Sequence, residues 1–402
     1  MIPIALYLNA GFVSVSVIWF FALCLYNYRD SLKDQLRTCY ILLLPVLLFG
    51  VTMFWSFFSA DLALAFDLVL RKSHLFLIPV GLIIVNKKIS DKDLDVILGV
   101  FLLACLFCSF VCYFAAIVNV IRFGNLFETT AYGNQSFFTY FKLTEPVNIS
   151  PVYLSMYANL AFLAVLKSPF IRSSLKTVTA LYIGIFIFLL ASAVGIVSLL
   201  FIFFLWAGTT SYRRISKYVL VALLAVCVVL GFTKPAFITE QFKADYSEYF
   251  GDRVTSLPSR LAIWSAAWET IKEKPVTGYG VGAGQVVLEE TYRKSNFNWG
   301  ARESLNPHNQ FLSTLLDVGI PGFLILVLII VYPLIRAIQS KDILATGFIV
   351  MTFLFFCMES VLLRQKGIVF FGFFYSVIYS VLLTNEKESA TAVRDDTGKD
   401  EA

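Results

Sequence analysis

Charged residues are scarce in this sequence, and their scarcity excludes most classes of soluble protein. Only 15% of the 402 residues are Asp, Glu, Lys or Arg, whereas 58% are hydrophobic and the mean hydropathy is +0.78. A soluble domain carries about 25% charged residues, which cover its surface. The chain also lacks the short alternating pattern of outer-membrane strands, so helices must satisfy its backbone in lipid. The sequence therefore predicts an all-α integral membrane protein.

Eleven apolar stretches, most of them about 17 to 25 residues long, are predicted as transmembrane helices. They lie near residues 4–26, 39–58, 74–86, 94–121, 150–167, 177–192, 194–210, 217–233, 319–338, 343–361 and 366–384. We therefore expect a polytopic protein of about 11 to 12 spans.

The cations between these stretches predict the orientation of the chain. One set of connections carries fourteen Lys and Arg residues, namely Arg29, Lys33, Arg37, Lys87, Lys88, Lys92, Lys167, Arg172, Lys176, Arg213, Arg214, Lys217, Arg336 and Lys341. The short connections on the other side carry six, namely Arg71, Lys72, Arg122, Lys142, Arg364 and Lys366. By the positive-inside rule the first set is cytoplasmic. We expect an outward N-terminus on an uncleaved signal anchor and a disordered cytoplasmic tail at residues 385–402.

A long polar connection falls on the outer side. Residues 234–318 separate an N-terminal bundle of about eight spans, residues 1–233, from about three C-terminal spans, residues 319–384. A connection of this length is usually a folded unit that carries function. All seven cysteines lie in or at the ends of apolar stretches, so we expect no disulfide in this loop.

An amphipathic helix is predicted within the loop, over residues 257–273. Its apolar face is formed by Leu257, Leu261, Trp264, Trp268 and Ile271, at helical spacing. Arg260 falls in its first turn, where free backbone N–H groups and a guanidinium suit a phosphate or diphosphate. The alternative is an ordinary surface ion pair. The run GYGVGAG at 278–284 follows the helix and lacks the Walker lysine, so a connector or a close backbone approach to a ligand is favoured over a nucleotide site.

A second helix in the loop carries a candidate general base. Asn306 is predicted as its N-cap, Pro307 as its first residue, and Gly319 as its end. His308 then lies in the first turn, where the helix dipole keeps the imidazole neutral and able to accept a proton. A structural histidine is the alternative interpretation.

Other candidates are weaker. Arg364 either pairs with Glu359 across a short turn or binds an anionic head group, with the ion pair favoured. Residues 62–70 suggest an interfacial helix at the outer surface. Several aromatic residues of the loop are candidates for stacking on sugar rings, namely Trp264, Trp268, Trp299, Tyr279 and Tyr292, although the first two are expected in the core.

Two segments of the loop, SRLAIWSAAWETIKEKPVTGYGVG (259–282) and LNPHNQFLSTLLDVGIPGFLILV (305–327), resemble the O-antigen ligase family. The resemblance extends to a third segment, MESVLLRQKGIVFFGFF (358–374). It is weaker in two earlier segments, WSFFSAD (55–61) and LFLIPV (75–80). Members of this family, and of the related O-antigen polymerases, are multi-pass glycosyltransferases of the GT-C type in the bacterial inner membrane. They take a glycan from undecaprenyl diphosphate on the periplasmic side, without a metal or another cofactor.

The resemblance implies roles for particular residues. His308 would deprotonate or orient the acceptor hydroxyl, and Arg260 would hold the diphosphate and stabilise the charge that develops as it leaves. Asn309 and Tyr279 would help to position the acceptor. The implied partners are a lipid-linked glycan donor, a lipid A-core or glycan acceptor and membrane lipids, with no nucleic acid.

The chain departs from the family at two points. Ligases carry a further Arg near the segment 189–198, where this chain has Ala193 and Val194. Arg364, Arg302 and Arg253 are candidates to replace it. The chain is also predicted to have one N-terminal span fewer than the family's usual twelve.

The leading hypothesis is an O-antigen ligase. A polymerase of O-antigen or capsular polysaccharide that uses the same donor comes next, and a protein-directed oligosaccharyltransferase third. A flippase or other transporter is disfavoured, because the polar residues concentrate in one outer loop rather than at the bilayer midplane.

Overall fold

The computed structural model describes residues 1–28, 40–85, 89–130, 133–169, 171–209 and 256–400. Within them the protein is almost entirely helical. The helices are α1 (Ile2–Ala5), α2 (Ala10–Tyr28), α3 (Tyr40–Ser56), α4 (Leu62–Lys72), α5 (His74–Val85), α6 (Asp91–Phe123), α7 (Tyr140–Thr144), α8 (Pro151–Lys167), α9 (Ser173–Leu189), α10 (Ala193–Thr209), α11 (Ser256–Glu273), α12 (Ala283–Lys294), α13 (Asn298–Arg302), α14 (Gln310–Gln339), α15 (Ile343–Met358) and α16 (Gln365–Asp400). Two strands, β1 (Phe127–Thr130) and β2 (Gly133–Ser136), form one antiparallel hairpin. The predicted all-α class is confirmed.

Among the described residues the predicted spans largely coincide with helices, and the span predicted at 4–26 is interrupted at residues 6–9, between α1 and α2. Four helical segments there are long and apolar enough to cross a membrane: Leu62–Val85, Asp91–Phe123, Gln310–Gln339 and Gln365–Glu386. Residues Tyr140–Val147 and Pro151–Lys167 add a fifth if their 79° bend lies within one span. The shorter apolar helices α2, α3, α9, α10 and α15 cover other predicted positions. The predicted span at 217–233 lies outside the described residues.

The chain divides into two compact units, and α16 is the core of the first, which comprises Met1–Val100 and Ala266–Ala402. Within its segment Gln365–Glu386, 94% of the residues in an 18-residue apolar stretch are buried. Such a helix is apolar on every face and needs neighbours all around it. α5, α15 and α3 supply them, while α14 packs against α15 and α3.

In the second unit, Phe101–Ser265, the central helix is α8. It packs against α9 and α10, and its residues from Tyr153 to Val165 are buried. Inside it, Asn159 donates from Nδ2 to the carbonyl oxygens of Ser155 (2.8 Å) and Gly195 (3.0 Å). The carboxamide therefore links α8 to α10.

At the C-terminus, α16 continues to Asp400. The tail predicted to be disordered is therefore helical over most of its length. Its Glu, Lys and Ala residues are good helix formers, which favours continuation of the helix beyond its apolar part.

Candidate active site

His308 lies in a tight turn just before α14, not in the first turn of the helix as the sequence predicted. Its backbone N–H donates to Oδ1 of Asn306 at 2.8 Å, and its φ is 43°. Asn306 therefore stabilises the turn rather than capping the helix, because its short side chain reaches the backbone two residues on.

The N-cap of α14 is Asn309. Its Oδ1 accepts from the N–H groups of Phe311 (2.9 Å) and Leu312 (3.1 Å), which have no partner within the helix. Its Nδ2 donates to the carbonyl oxygen of Cys357 at 3.0 Å. Asn309 was predicted to position the acceptor, and in the structure its carboxamide is used to position α14.

Glu359 lies beside the imidazole of His308. Its Oε2 is 3.2 Å from Nδ1, and its side chain is 13% exposed against 31% for His308. The residue directly follows α15 in an extended conformation, and its Oε1 accepts from the N–H of Ser360 at 3.1 Å. The sequence suggested that this carboxylate pairs with Arg364. Arg364 is instead exposed, and among the described residues it forms no ion pair.

A polar network joins the segment after α15 to the start of α14. The hydroxyl of Ser360, 1% exposed, accepts from the N–H of Asn309 at 3.2 Å and lies 2.7 Å from the hydroxyl of Ser313. The N–H of Leu362 donates to Oε1 of Gln310 at 2.7 Å. These bonds fix the chain on both sides of the His308–Glu359 pair.

The glycine-rich loop packs against the end of the first part of α14. The N–H groups of Tyr279 and Gly280 donate to the carbonyls of Leu316 (2.8 Å) and Asp317 (3.0 Å). Gly319, with φ 73° and ψ −160°, breaks the helical backbone there, as its predicted role as a helix end requires. A Cβ on Gly319 would lie 2.3 Å from the carbonyl oxygen of Val276, so the glycines permit close contact between backbones.

The same loop contacts the segment before α4, which also resembled the family. Nε1 of Trp55 donates to the carbonyl of Thr277 at 2.6 Å, and Oγ of Ser59 donates to the carbonyl of Val281 at 2.9 Å. A Cβ on Gly280, whose φ is 95°, would lie 2.8 Å from Cα of Ser59. The two distant motifs therefore form one packed surface.

Hydrogen bonds of its hydroxyl group hold the side chain of Tyr279 in place. This oxygen lies 2.9 Å from both the carbonyl of Thr270 and Oε2 of Glu273. Desolvation, with a smaller contribution from Glu273, raises the pKa of Tyr279 to about 12. Nζ of Lys274 lies 5.0 Å from the centre of the ring. These contacts show that the side chain anchors the loop to α11.

Sequence reasoning missed a buried ion pair. Nζ of Lys72 lies 3.8 Å from Oδ2 of Asp317, each side chain is 10% exposed, and Oδ1 of Asp317 accepts from the N–H of Gly282 at 3.1 Å. The pair and four polar residues, Thr52, Gln310, Ser313 and Thr314, line a cavity of about 10 Å³, room for roughly one water molecule. A single Asp in the apolar stripe of α14 was the available signal, because such residues need a partner.

The structure corrects part of the predicted apolar face of α11, in which Ile271 is buried as predicted. Trp268 is 51% exposed and Leu261 is exposed, whereas Ile263, Ala266 and Ala267 are buried. The buried face therefore includes two small alanines, whereas the larger Trp268 and Leu261 lie outside it. Tyr292, a candidate for sugar stacking, is fully buried.

The other arginines that were predicted to bind the diphosphate lie in different environments. Arg260 is half-buried on α11 in the second compact unit, so its action together with His308 stays a prediction. Arg302 has a side chain that is 73% exposed and pairs with the adjacent Glu303, and Arg253 lies outside the described residues.

The segment 189–198, near which the resemblance implies a further Arg in ligases, contains the tight turn between α9 and α10. Ala191 has φ 49° there, and α10 begins at Ala193. A Cβ on Gly195 would lie 2.6 Å from Oγ of Ser155. The first turn of α10 is therefore packed closely against α8 at Gly195.

Comparison with known proteins adds an independent observation. The family described as O-antigen ligase matches residues 178–327, which include α11, the glycine loop, His308 and the start of α14. Residues 178–327 match the O-antigen ligase family. The resemblance inferred from the motifs is thereby confirmed, although 358–374 lies beyond the match.

Three relatives are similar to parts of this chain, and two of them have names that agree with the O-antigen ligase match. Two proteins named "Putative polysaccharide ligase", from Rickettsia conorii and Rickettsia felis, are each 30% identical over 32% of either chain. An uncharacterized protein of Haemophilus influenzae is 28% identical over 38% of this chain and 42% of its own. The matches thus span less than half of the length of these relatives.

Proposed function

We propose that this protein is a glycan ligase that transfers a polysaccharide from a polyprenyl diphosphate carrier to an acceptor hydroxyl. The observation that carries the proposal is the partly exposed His308, which lies in the segment that matches the O-antigen ligase family and is paired with Glu359, a residue beyond that segment. Undecaprenyl diphosphate is the proposed carrier, and lipid A-core or a comparable surface glycan is the proposed acceptor.

The chemistry needs one base and fixed cations. Nε2 of His308 accepts the proton of the acceptor hydroxyl as the oxygen forms a bond to the anomeric carbon of the donor sugar. The bond from that carbon to the diphosphate breaks, and its electron pair leaves with the diphosphate. Arg260 stabilises the developing charge. Because diphosphate is a competent leaving group, we propose that neither a metal nor another cofactor takes part.

Transfer by purified protein tests these roles. A general base contributes about 10²- to 10⁴-fold, so His308→Ala should lower kcat by at least about 100-fold. Arg260→Ala should weaken donor binding and turnover. Lys272→Ala is the matched control on α11. Lys272 pairs with the exposed Glu269 at 2.7 Å, so its loss should leave transfer unchanged. Wild-type transfer by His308→Ala would remove the base from the mechanism.

Gene deletion separates ligase from polymerase. Loss of a ligase leaves long polymer on the lipid carrier, whereas loss of a polymerase leaves single repeat units on the final acceptor. We expect the first result.

We further propose that the protein lies in the bacterial inner membrane with His308 facing the periplasm. The unequal distribution of cations between the two sides supports this orientation. A fluorescent protein that folds only in the cytoplasm, fused at the C-terminus, should fluoresce. A dark fusion that is expressed at a normal level would reverse the orientation.

A further inference from the structure

We propose that Glu359 is a positioning residue that holds the proton of His308 on Nδ1 and leaves Nε2 free to accept a proton. The proposal rests on the proposed function for its catalytic consequence. The imidazole tautomer that it assigns can be measured without any transfer reaction.

The donor and acceptor chemistry assigns the tautomer. An ionised carboxylate has only acceptor oxygens, and a neutral imidazole has one N–H donor and one acceptor nitrogen. With Oε2 of Glu359 3.2 Å from Nδ1, the N–H belongs on Nδ1. Nε2 then carries the free lone pair that a general base requires.

The two side chains of the pair differ in their exposure to solvent. Glu359 is 13% exposed and His308 is 31% exposed. The carboxylate is therefore the more shielded of the two groups, and the imidazole retains more access to a ligand. This arrangement suits a group that acts through the histidine rather than on the substrate.

The carboxylate is itself oriented. Its Oε1 accepts from the N–H of Ser360, and the N–H of Glu359 donates to the carbonyl of Phe355 at 2.8 Å. Both oxygens are thus used, one by the backbone and one by the ring. A carboxylate held in this way fixes the rotation of the imidazole as well as its tautomer.

The backbone conformation of His308 is unfavourable in free energy, and the hydrogen bonds around it offset this cost. A φ of 43° in a residue with a side chain costs roughly 1 kcal/mol or more. The bonds of Asn306 and Asn309 on either side of the ring hold this conformation. The turn therefore persists without Glu359, and removal of Glu359 should change the ring more than the fold.

The test is ¹⁵N NMR of the full-length protein in detergent, with labelled histidine. The chain has two histidines, so His308→Gln assigns the resonances. We expect a protonated Nδ1 and an unprotonated Nε2 in the wild type. Glu359→Ala should move the proton to Nε2, which free neutral histidine favours. Glu359→Gln keeps a carbonyl acceptor and should retain more of the Nδ1–H form.

Kinetics of the same variants complete the test. Glu359→Ala should lower kcat about tenfold or more, by less than His308→Ala does, with KM changed little. Glu359→Gln should recover part of the loss. Glu269→Ala, which removes an exposed carboxylate on α11, should change neither the spectrum nor kcat.

The outcomes separate this proposal from the proposed function. A wild-type His308 with its proton on Nε2 refutes the role of Glu359, whatever the protein transfers. The same holds if Glu359→Ala loses activity and thermal stability with the tautomer unchanged, because that is a purely structural effect. If the tautomer is as expected but His308→Ala transfers glycan normally, the pairing stands and the catalytic base is wrong.

Discussion

The buried pair of Lys72 and Asp317 allows a quantitative prediction about stability. Lys72→Met removes the ammonium and keeps the length of the side chain. Asp317→Asn removes the carboxylate charge but keeps an oxygen for the N–H of Gly282, which Oδ1 accepts at 3.1 Å. The double variant therefore contains neither charge and preserves the bond to the glycine loop.

The expected magnitudes follow from the geometry of the pair. Two unit charges 3.8 Å apart attract by about 4 kcal/mol at an effective dielectric constant of about 20. Each single variant leaves one buried charge unpaired and should lower the free energy of unfolding by about 3 to 5 kcal/mol. The double variant should lie within about 1 kcal/mol of the wild type, because it avoids the desolvation of both ions.

Equilibrium unfolding of purified protein in mixed micelles measures these differences. Arg71→Met is the matched control, because Arg71 precedes Lys72 and pairs with Asp67 at a position where both side chains are about half exposed. It should cost less than about 1 kcal/mol. If the double variant loses the sum of the two single losses, to within about 0.5 kcal/mol, the charges do not interact and the reasoning fails.

Three further predictions concern the loop and the start of α14. Gly319→Ala should destabilise the protein by about 3 kcal/mol or more, because its Cβ would lie 2.3 Å from a carbonyl oxygen at a φ of 73°. The control is Gly50→Ala, whose added Cβ would meet no other element among the described residues within 4 Å. It should be neutral or slightly stabilising in the same unfolding measurement. Asn309→Ala should cost about 1 to 2 kcal/mol by thermal unfolding, and an unchanged midpoint would contradict its role as the N-cap. Desolvation and Glu273 raise the pKa of Tyr279 to about 12, so its stabilising contribution is complete below the ordinary pKa near 10 and is lost as the pH rises through 12. Tyr279→Phe should therefore be less stable than the wild type by about 1 kcal/mol at pH 8, and a difference that persists above pH 12 would argue against the hydroxyl as its source.

The sequence by itself determined the class of protein and the positions of most of its apolar helices. Apolar length specified the helices of the membrane bundle, since a span needs about 20 apolar residues whatever surrounds it. Gly319 ended the first part of α14 as predicted, because its conformation is set by local backbone sterics. These features depend on residues that are close in the chain, which is why periodicity and composition were sufficient.

Local rules were less reliable where several residues compete for one role. Asn306 and Asn309 are both good N-caps, and sequence favoured Asn306 because Pro307 follows it. In the structure Asn309 caps α14, with its amide nitrogen bonded to Cys357, a residue of another helix. The choice between the two was thus made by a tertiary contact.

Only the tertiary structure decided which polar residues meet. His308 and Glu359 are 51 residues apart, and Lys72 reaches Asp317 from a different helix, so neither pair leaves a periodic signal in the sequence. On α11, likewise, the small Ala266 and Ala267 are buried while Trp268 is exposed, which hydrophobicity along the chain does not predict. Sequence placed a histidine and a few arginines in one polar loop, whereas packing between helices set the carboxylate beside the histidine and the lysine beside the aspartate.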